Sequence, residues 1–465
     1  MPWSKFRRWL VGAILVIAGT VLAAAAWFWF DSRVMALPSD EAIGTIVEER
    51  LAAGFGTAMV VGILDGGVRQ FVARGDGADG PAGAATRFEI ASITKVLTTS
   101  LMAVMAEAGD LSFDAAAVSL WSTNPPRLPA RSGRPVTLAD LGAHVAGLPK
   151  MPDDLVSTDP RDPEAGYTSE RLHAFLSRYQ PSPSEGFSYR YSNVGFAVLG
   201  EALANRGGRS YEELLHARIL VPLGMDASGL AGESGGAVPV VGHDDQMAPV
   251  PPFSAGVFSP AGGGVSTAND LLAFADAYLG RGDPILVRGF DRAANFSTAD
   301  SASGKKLGLG WDLAQLGRRT VLTKDGSAAG YNAFIAIDRT AKRAVVVLAN
   351  GQGAVSDIAL HILDARSLAR RLAPAITIDS AVLEPIVGTY EGKDTGPVVF
   401  TRVEDRLYLQ FGDLPAPIRL FPETPTRFVA HAFDGTITVR PPAADVATEI
   451  EAVVEGQGIP LVRRR

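Results

Sequence analysis

A serine and a lysine three residues apart, Ser92-Ile-Thr-Lys95, open an apolar stretch in which Leu97, Leu101, Met102, Val104 and Met105 recur at helical spacing until Gly109. That pattern predicts a helix with Ser92 at its N-terminus. Positions i and i+3 share a helix face, so the Lys95 amine can reach the Ser92 hydroxyl. The positive end of the helix dipole favours negative charge developing at Ser92. Apolar neighbours would let the lysine lose its proton and act as a base. A nucleophile and its activator are thus written into one helical turn, and the domain has to be built around it.

Spacing alone is weak evidence. Ser303-Gly-Lys-Lys306 has the same spacing, but it sits in a polar loop with no helix behind it. Ser92 is singled out by its context and by two further stretches downstream. Tyr191-Ser-Asn193 follows the Pro183-Ser-Glu-Gly186 loop and precedes an apolar helix. A tyrosine beside a buried lysine can serve as phenolate or proton relay, and an asparagine amide can hold both substrate and Lys95. Lys324-Asp-Gly-Ser327 lies on a strand, where the lysine offers charge to a substrate carboxylate. Gly326 there leaves room along the strand, and the next backbone N–H can face an oxyanion. Ser122-Thr-Asn124 and Lys306-Leu-Gly308 match the looser patterns without the surrounding elements.

At 465 residues, the chain has room for two folded domains. A net charge of −7 without a basic patch argues against a nucleic-acid partner. The absence of cysteine excludes disulfides and thiolate metal sites. The six histidines are scattered, with no metal-binding spacing, so neither metal nor cofactor is expected. His144, on an apolar stretch, reads as structural. Gly232-Glu-Ser-Gly-Gly236 has the spacing of a nucleophile elbow but neither the strand before it nor the helix after it.

Lys5, Arg7 and Arg8 precede an apolar run from Trp9 to Phe30, long enough to cross a bilayer and flanked by tryptophans. Residues 1–8 are expected in the cytoplasm and 9–30 as an anchor in the inner membrane. The remainder then lies in the periplasm. A signal peptide cleaved near Ala23–Ala26 is the alternative, and it too exports the rest.

Helices are expected over 39–51, 136–149, 170–178, 193–205, 211–220, 268–279 and 356–372. A hairpin is expected at 57–73 around Asp65-Gly-Gly67, and strands at 320–323, 332–338 and 344–348. Residues 230–265 read as loop. Strands at both ends with helices between them predict an α+β domain over 38–372, an antiparallel sheet flanked by helices with an all-helical insertion. Short strands after Val387 predict a small all-β domain at 380–465, barrel or sandwich.

With Ser92, Tyr191 and Lys324 in that order, and with His144-Val-Ala-Gly-Leu-Pro149 between them, the chain resembles the penicillin-recognising serine hydrolases. The likeness is to class C β-lactamases and their low-molecular-mass DD-peptidase and esterase relatives. It implies that Ser92 is acylated, with Lys95 and Tyr191 activating it and later the deacylating water. It also implies an oxyanion hole of the Ser92 and Ser327 N–H groups, Asn193 on the substrate amide and Lys324 on a substrate carboxylate. Lys150 aligns with the acyl side-chain pocket. The expected activity is hydrolysis of D-Ala-D-Ala-type peptides of peptidoglycan, as carboxypeptidase or endopeptidase. An esterase or β-lactamase, or an inactive binding protein, are the alternatives. Asp325 departs from the family pattern. Aimed into the site it would repel carboxylate substrates; turned outward or paired with Lys324 it would be harmless.

Overall fold

The computed structural model describes residues 34–464, except 157–163, 182–187, 233–237, 373–375, 393–395, 412–416, 432–434, 440–446, 455–456 and positions 79, 132, 301, 368 and 448. The expected anchor, the Pro183–Gly186 loop and most of the Gly232–Gly236 stretch lie outside the described residues. Among the described residues, no helix is long and apolar enough to cross a membrane.

Helix α1 (Asp40–Ala52) leads into strands β1 (Ala58–Asp65), β2 (Val68–Gly77) and β3 (Gly80–Pro81). Gly66 and Gly67, both at positive φ, make the tight turn of the expected hairpin. Helices α2 (Thr94–Glu107), α3 (Asn193–Gly207), α4 (Ala268–Tyr278) and α5 (Pro284–Asn295) follow. The chain then returns to the sheet with β4 (Asp312–Leu316), β5 (Arg319–Ala328), β6 (Tyr331–Asp338) and β7 (Arg343–Ala349), and α6 (Ser356–Leu363) packs behind them. The antiparallel order is β4-β5-β6-β7-β1-β2-β3.

The two central strands are buried on both faces, and their alternation divides the core. Val60, Leu64, Val346 and Leu348 face the α2 side. Met59, Val61, Ile63, Val345 and Val347 face α1 and α6. Every residue of α2 from Thr94 to Ala106 is buried, so the helix is embedded rather than amphipathic. Its hydroxyls find internal partners: Thr98 Oγ1 donates to Pro260 O at 2.6 Å, and Ser100 Oγ lies 2.7 Å from the Tyr278 hydroxyl.

Several sequence expectations are corrected. The helix expected over 136–149 runs only from Leu138 to Gly142, because His144 (φ 59°) and Gly147 (φ 70°) take left-handed conformations that turn the chain. The helix expected to reach 372 stops at Leu363, where extended Asp364 binds the Arg319 and Arg366 guanidinium groups instead. Residues 230–265 are not all loop: Ser259–Gly262 is helical, and Gly264–Thr267 pairs with Arg87–Glu89. The insertion is therefore helical in bulk, with short strands added. Helix α5 and strand β4 were not anticipated.

The C-terminal strands are β8 (Gly388–Gly392), β9 (Gly396–Val403), β10 (Arg406–Phe411), β11 (Ile418–Thr424), β12 (Arg427–Ala430), β13 (Gly435–Val439), β14 (Glu449–Val454) and β15 (Gln457–Arg463). They close into a barrel rather than a sandwich, β15 pairing back onto β8. The barrel seats on the α+β domain through His431. Its ring stacks on Phe421 at 3.7 Å and meets Phe55 at 4.8 Å, and its carbonyl accepts Ala354 N–H at 2.7 Å.

Candidate active site

Ser92 sits in a single 3-10 turn, Ala91–Ile93, immediately before α2. Ala91 holds φ at 41°, in the left-handed region that a residue with a Cβ enters at a cost of roughly 1–3 kcal/mol. The surroundings hold this turn in place: Ile90 N–H donates to Gly264 O at 2.9 Å, and Gly264 N–H donates to Thr94 Oγ1 at 2.9 Å. On the other side β5 presses against the same turn. A Cβ built on Gly326 would stand 2.2 Å from the Ile90 carbonyl oxygen, so only glycine lets the strand come this close.

Three side-chain tips converge here. Ser92 Oγ lies 2.6 Å from the Tyr191 hydroxyl and 3.1 Å from Lys95 Nζ. Lys95 also donates to Ala261 O at 2.7 Å and lies 4.7 Å from the Tyr191 ring centroid. Burial, then the Lys324 charge, hold the Lys95 amine well below the usual lysine range, against opposing pulls from Glu164 and Asp325. That lowering favours the neutral amine, the form that can take the serine proton. Burial pushes the Tyr191 phenol up. Of the two roles open to it from sequence, proton relay therefore fits and standing phenolate does not.

Lys324 is buried on the face of β5 that Gly326 shares, with its ammonium 5.3 Å from the Tyr191 ring centroid. It pairs with Asp312 Oδ2 at 2.9 Å. Burial alone would lower this lysine, but Asp312 and Asp325 outweigh it and the group stays protonated. Asp325 itself is exposed on the alternate face, opposite Phe334, and it is Asp312 that takes the Lys324 ion pair. Pairing between β4 and β5 stops at Thr323, so among the described residues the outer edge of Lys324–Ala328 has no strand beside it and an extended substrate can lie there. Ser327 is on that segment, exposed, in register with Asn332.

Asn193 opens α3. Its Nδ2 contacts Met151 Sδ at 3.2 Å, and its buried Oδ1 has no hydrogen-bond partner among the described residues. Lys150 is exposed, its carbonyl accepts Asn193 N–H at 3.0 Å, and its charge adds to the pressure on Lys95. Ser303, by contrast, caps a turn on Asp300 and takes no part in this cluster.

Sequence reading missed Asp312, Glu164 and the Ala261 carbonyl. Asp312 follows Gly308-Leu-Gly-Trp311, but only the β4–β5 register brings it to Lys324. His144 does more than fill space: its ring stacks on Tyr191 at 4.6 Å, and burial keeps it neutral. Among the described residues, no three His, Asp or Glu side chains cluster as metal ligands would.

Residues 44–369 match the family model described as Beta-lactamase. The chain is 25% identical over 297 residues to the D-alanyl-D-alanine-carboxypeptidase/endopeptidase AmpH of Escherichia coli K12, covering 60% of this chain and 76% of that protein. Its fold is similar to a class C beta lactamase from Rhodobacter sphaeroides, with TM-score 0.59 and 23% identity, over 70% of this chain and 99% of the other. The octameric penicillin-binding protein homologue from Pyrococcus abyssi is similar with TM-score 0.59 and 22% identity, over 90% of this chain and 99% of that one.

Proposed function

Because the chain belongs to the beta-lactamase family of serine hydrolases, we propose that it is an exported acyl-enzyme hydrolase of D-Ala-D-Ala-type peptide bonds in peptidoglycan. The observation that carries this reading is the convergence of Ser92, Lys95 and Tyr191 within hydrogen-bonding distance of one oxygen. Likeness to a carboxypeptidase/endopeptidase supports the substrate class. The apolar run at residues 9–30 supports a membrane-tethered catalytic domain in the periplasm.

In this mechanism neutral Lys95 accepts the Ser92 proton as Oγ bonds to the substrate carbonyl carbon. The Ser92 and Ser327 N–H groups receive the oxyanion, and Asn193 holds the substrate amide. The carbon–nitrogen bond then breaks, and the proton passes through Tyr191 to the departing nitrogen. Water enters by the same relay in reverse and releases the acid, restoring Ser92. Lys150 borders the acyl side, and Lys324 and Gly326 the leaving side.

Esterase or β-lactamase activity with the same machinery is the second reading; the carboxylates that border Lys324 favour the esterase, since a β-lactam carries a carboxylate of its own. Incubation with stem pentapeptide, nitrocefin and a short-chain p-nitrophenyl ester separates these by which is turned over. Intact-mass detection of a penicilloyl adduct on wild type, absent in Ser92→Ala, tests the nucleophile directly. A stable fold with no adduct from penicillin or fluorophosphonate would instead support an inactive binding protein.

A further inference from the structure

The chain enters the α+β domain at one end of its sheet. The Arg343 guanidinium donates to the Met35 carbonyl while also pairing with Asp65 at 2.9 Å. Arg343 opens β7, Asp65 closes β1, and the two are partners in register. The turns at 66–67, 317–318 and 339–342 gather at that same end, because Asp65 lies opposite Val68, Leu316 opposite Arg319 and Asp338 opposite Arg343. Residues 31–34 separate Met35 from Phe30, the last of the apolar run. At full extension that connection spans about 17 Å. A bilayer holding residues 9–30 therefore lies close to this end of the sheet.

The surface there suits anionic headgroups. Val68, at the start of β2, is 64% exposed, and Ile285, in the first turn of α5, is 46% exposed. The two belong to one patch, since a Cβ on Gly67 would stand 3.4 Å from the Arg281 Cζ. Cations flank these apolar tips. Lys305, Lys306 and Lys342 are exposed and, among the described residues, join no ion pair. A groove of about 810 Å³ between β4–β5 and residues 294–297 is bordered by Lys305, Lys306, Arg318 and Arg339. The carboxylates nearby are engaged: Asp65 pairs with Arg343, Asp276 with Arg281 and Asp291 with Arg339, and Asp283 caps α5. Asp300, whose N–H meets the Lys305 carbonyl, is buried and accepts from Ser303. The exposed Asp40 and Glu41 lie further back, on the turn of α1 before Gly44, which abuts Arg74 beyond the middle of β2. A chain of net charge −7 thus gathers lysines where its tether begins.

Resting on the membrane-tethered reading of residues 9–30, we infer that this end of the sheet docks on the bilayer surface. Val68 and Ile285 enter the headgroup layer, and Lys305, Lys306 and Lys342 meet the phosphates of anionic phospholipids. The short connection keeps the lysines at a high effective concentration of lipid, so each contact need be no more than weak. Gly326, beside the nucleophile's turn, lies up to roughly 20 Å along β5 from Arg319. Docking therefore holds the cleft at a set height above the lipid.

The test uses the full chain in nanodiscs of phosphatidylcholine with and without phosphatidylglycerol. The chain has no cysteine, so Thr340→Cys and Ala329→Cys each accept a single donor dye. Thr340 is exposed in the β6–β7 turn at the docking end, and Ala329 is exposed in the β5–β6 turn at the other. Energy transfer to a headgroup-labelled lipid is expected to be greater from position 340, and about twofold greater with phosphatidylglycerol than without. High salt should remove the difference between the two bilayers. So should replacing Lys305, Lys306 and Lys342 together by glutamine, with native circular dichroism. Transfer from position 329 that matches or exceeds that from 340, equal transfer in the two bilayers, or a triple variant that behaves as wild type overturns the docking. A chain that stays out of the discs and remains soluble without detergent overturns the tethered reading and what rests on it, whereas an inserted chain with the wrong orientation overturns the docking alone.

Discussion

His144 grips Tyr191 from three directions at once. Its ring stacks on the tyrosine at 4.6 Å, its Nδ1 accepts the N–H of Ser192 at 3.0 Å, and its carbonyl accepts the N–H of Arg190 at 2.9 Å. The acceptor role places the imidazole proton on Nε2. A residue far away in sequence thus fixes the ring and both peptide neighbours of the proposed proton relay.

His144→Asn and His144→Leu separate those contacts. Asparagine tolerates the left-handed backbone at this position and can still accept from Ser192, whereas leucine can do neither. We expect kcat to fall about 10-fold in His144→Asn with KM little changed, and about 100-fold in His144→Leu. Leucine should also cost stability, about 2 kcal/mol in a denaturant titration. Equal losses in the two variants would remove the positioning role.

The pH profile carries a signed prediction. Activity needs the neutral Lys95 amine, so it is lost as pH falls through that lowered pKa. Lys324→Met removes a positive neighbour that holds Lys95 down, so the acid limb of kcat/KM should move to higher pH. Asp325→Asn removes a negative neighbour that holds it up, so the limb should move to lower pH. Profiles on a neutral p-nitrophenyl ester check both, and shifts of the same sign would contradict the electrostatic account.

Gly326→Ala places a methyl group 2.2 Å from the Ile90 carbonyl oxygen, a separation that forces β5 or the Ser92 turn to move. Because near-attack geometry is lost with displacements of about 1 Å, kcat/KM should fall about 100-fold or more. Circular dichroism should stay native. Wild-type rates in this variant would show that the strand does not border the reacting groups.

Arg319 is 3% exposed and pairs with Asp338 and Asp364, themselves 0% and 3% exposed. Arg319→Met leaves the buried Asp338 carboxylate without its cation and Asp364 with Arg366 alone. The expected loss is about 3–5 kcal/mol of unfolding free energy, read from urea titration at neutral pH. Loss of less than about 1 kcal/mol would mean the carboxylates find other partners.

The sequence revealed what is local in character. Ser92 and Lys95 stand one turn apart at the head of an apolar helix, and Tyr191 and Asn193 stand at the head of another, so periodicity located both pairs. The hairpin at Gly66 and Gly67 was legible for the same reason. Asp312 was not, because its partnership with Lys324 exists only through strand register. The stretch 136–149 looked helical because its apolar residues are dense. They are dense because it is buried, while His144 and Gly147 turn the backbone away from a helix. Helix α5 did carry a signal that went unread, Asp283 capping Ile285 N–H and Leu286 N–H just ahead of Pro284 in the first turn.

His431 lies flat on Phe421 within the barrel and against Phe55 of the larger domain, so its imidazole is a shared tile between two floors. A shortened chain ending before the barrel would strip that tile from Phe55, uncover an aromatic ring at the foot of β1, and leave the Ala354 amide without its acceptor. Such a fragment would carry a sticky scar where the intact molecule has a seam. Measurements on the isolated catalytic half would therefore describe a different surface from the one the whole protein presents.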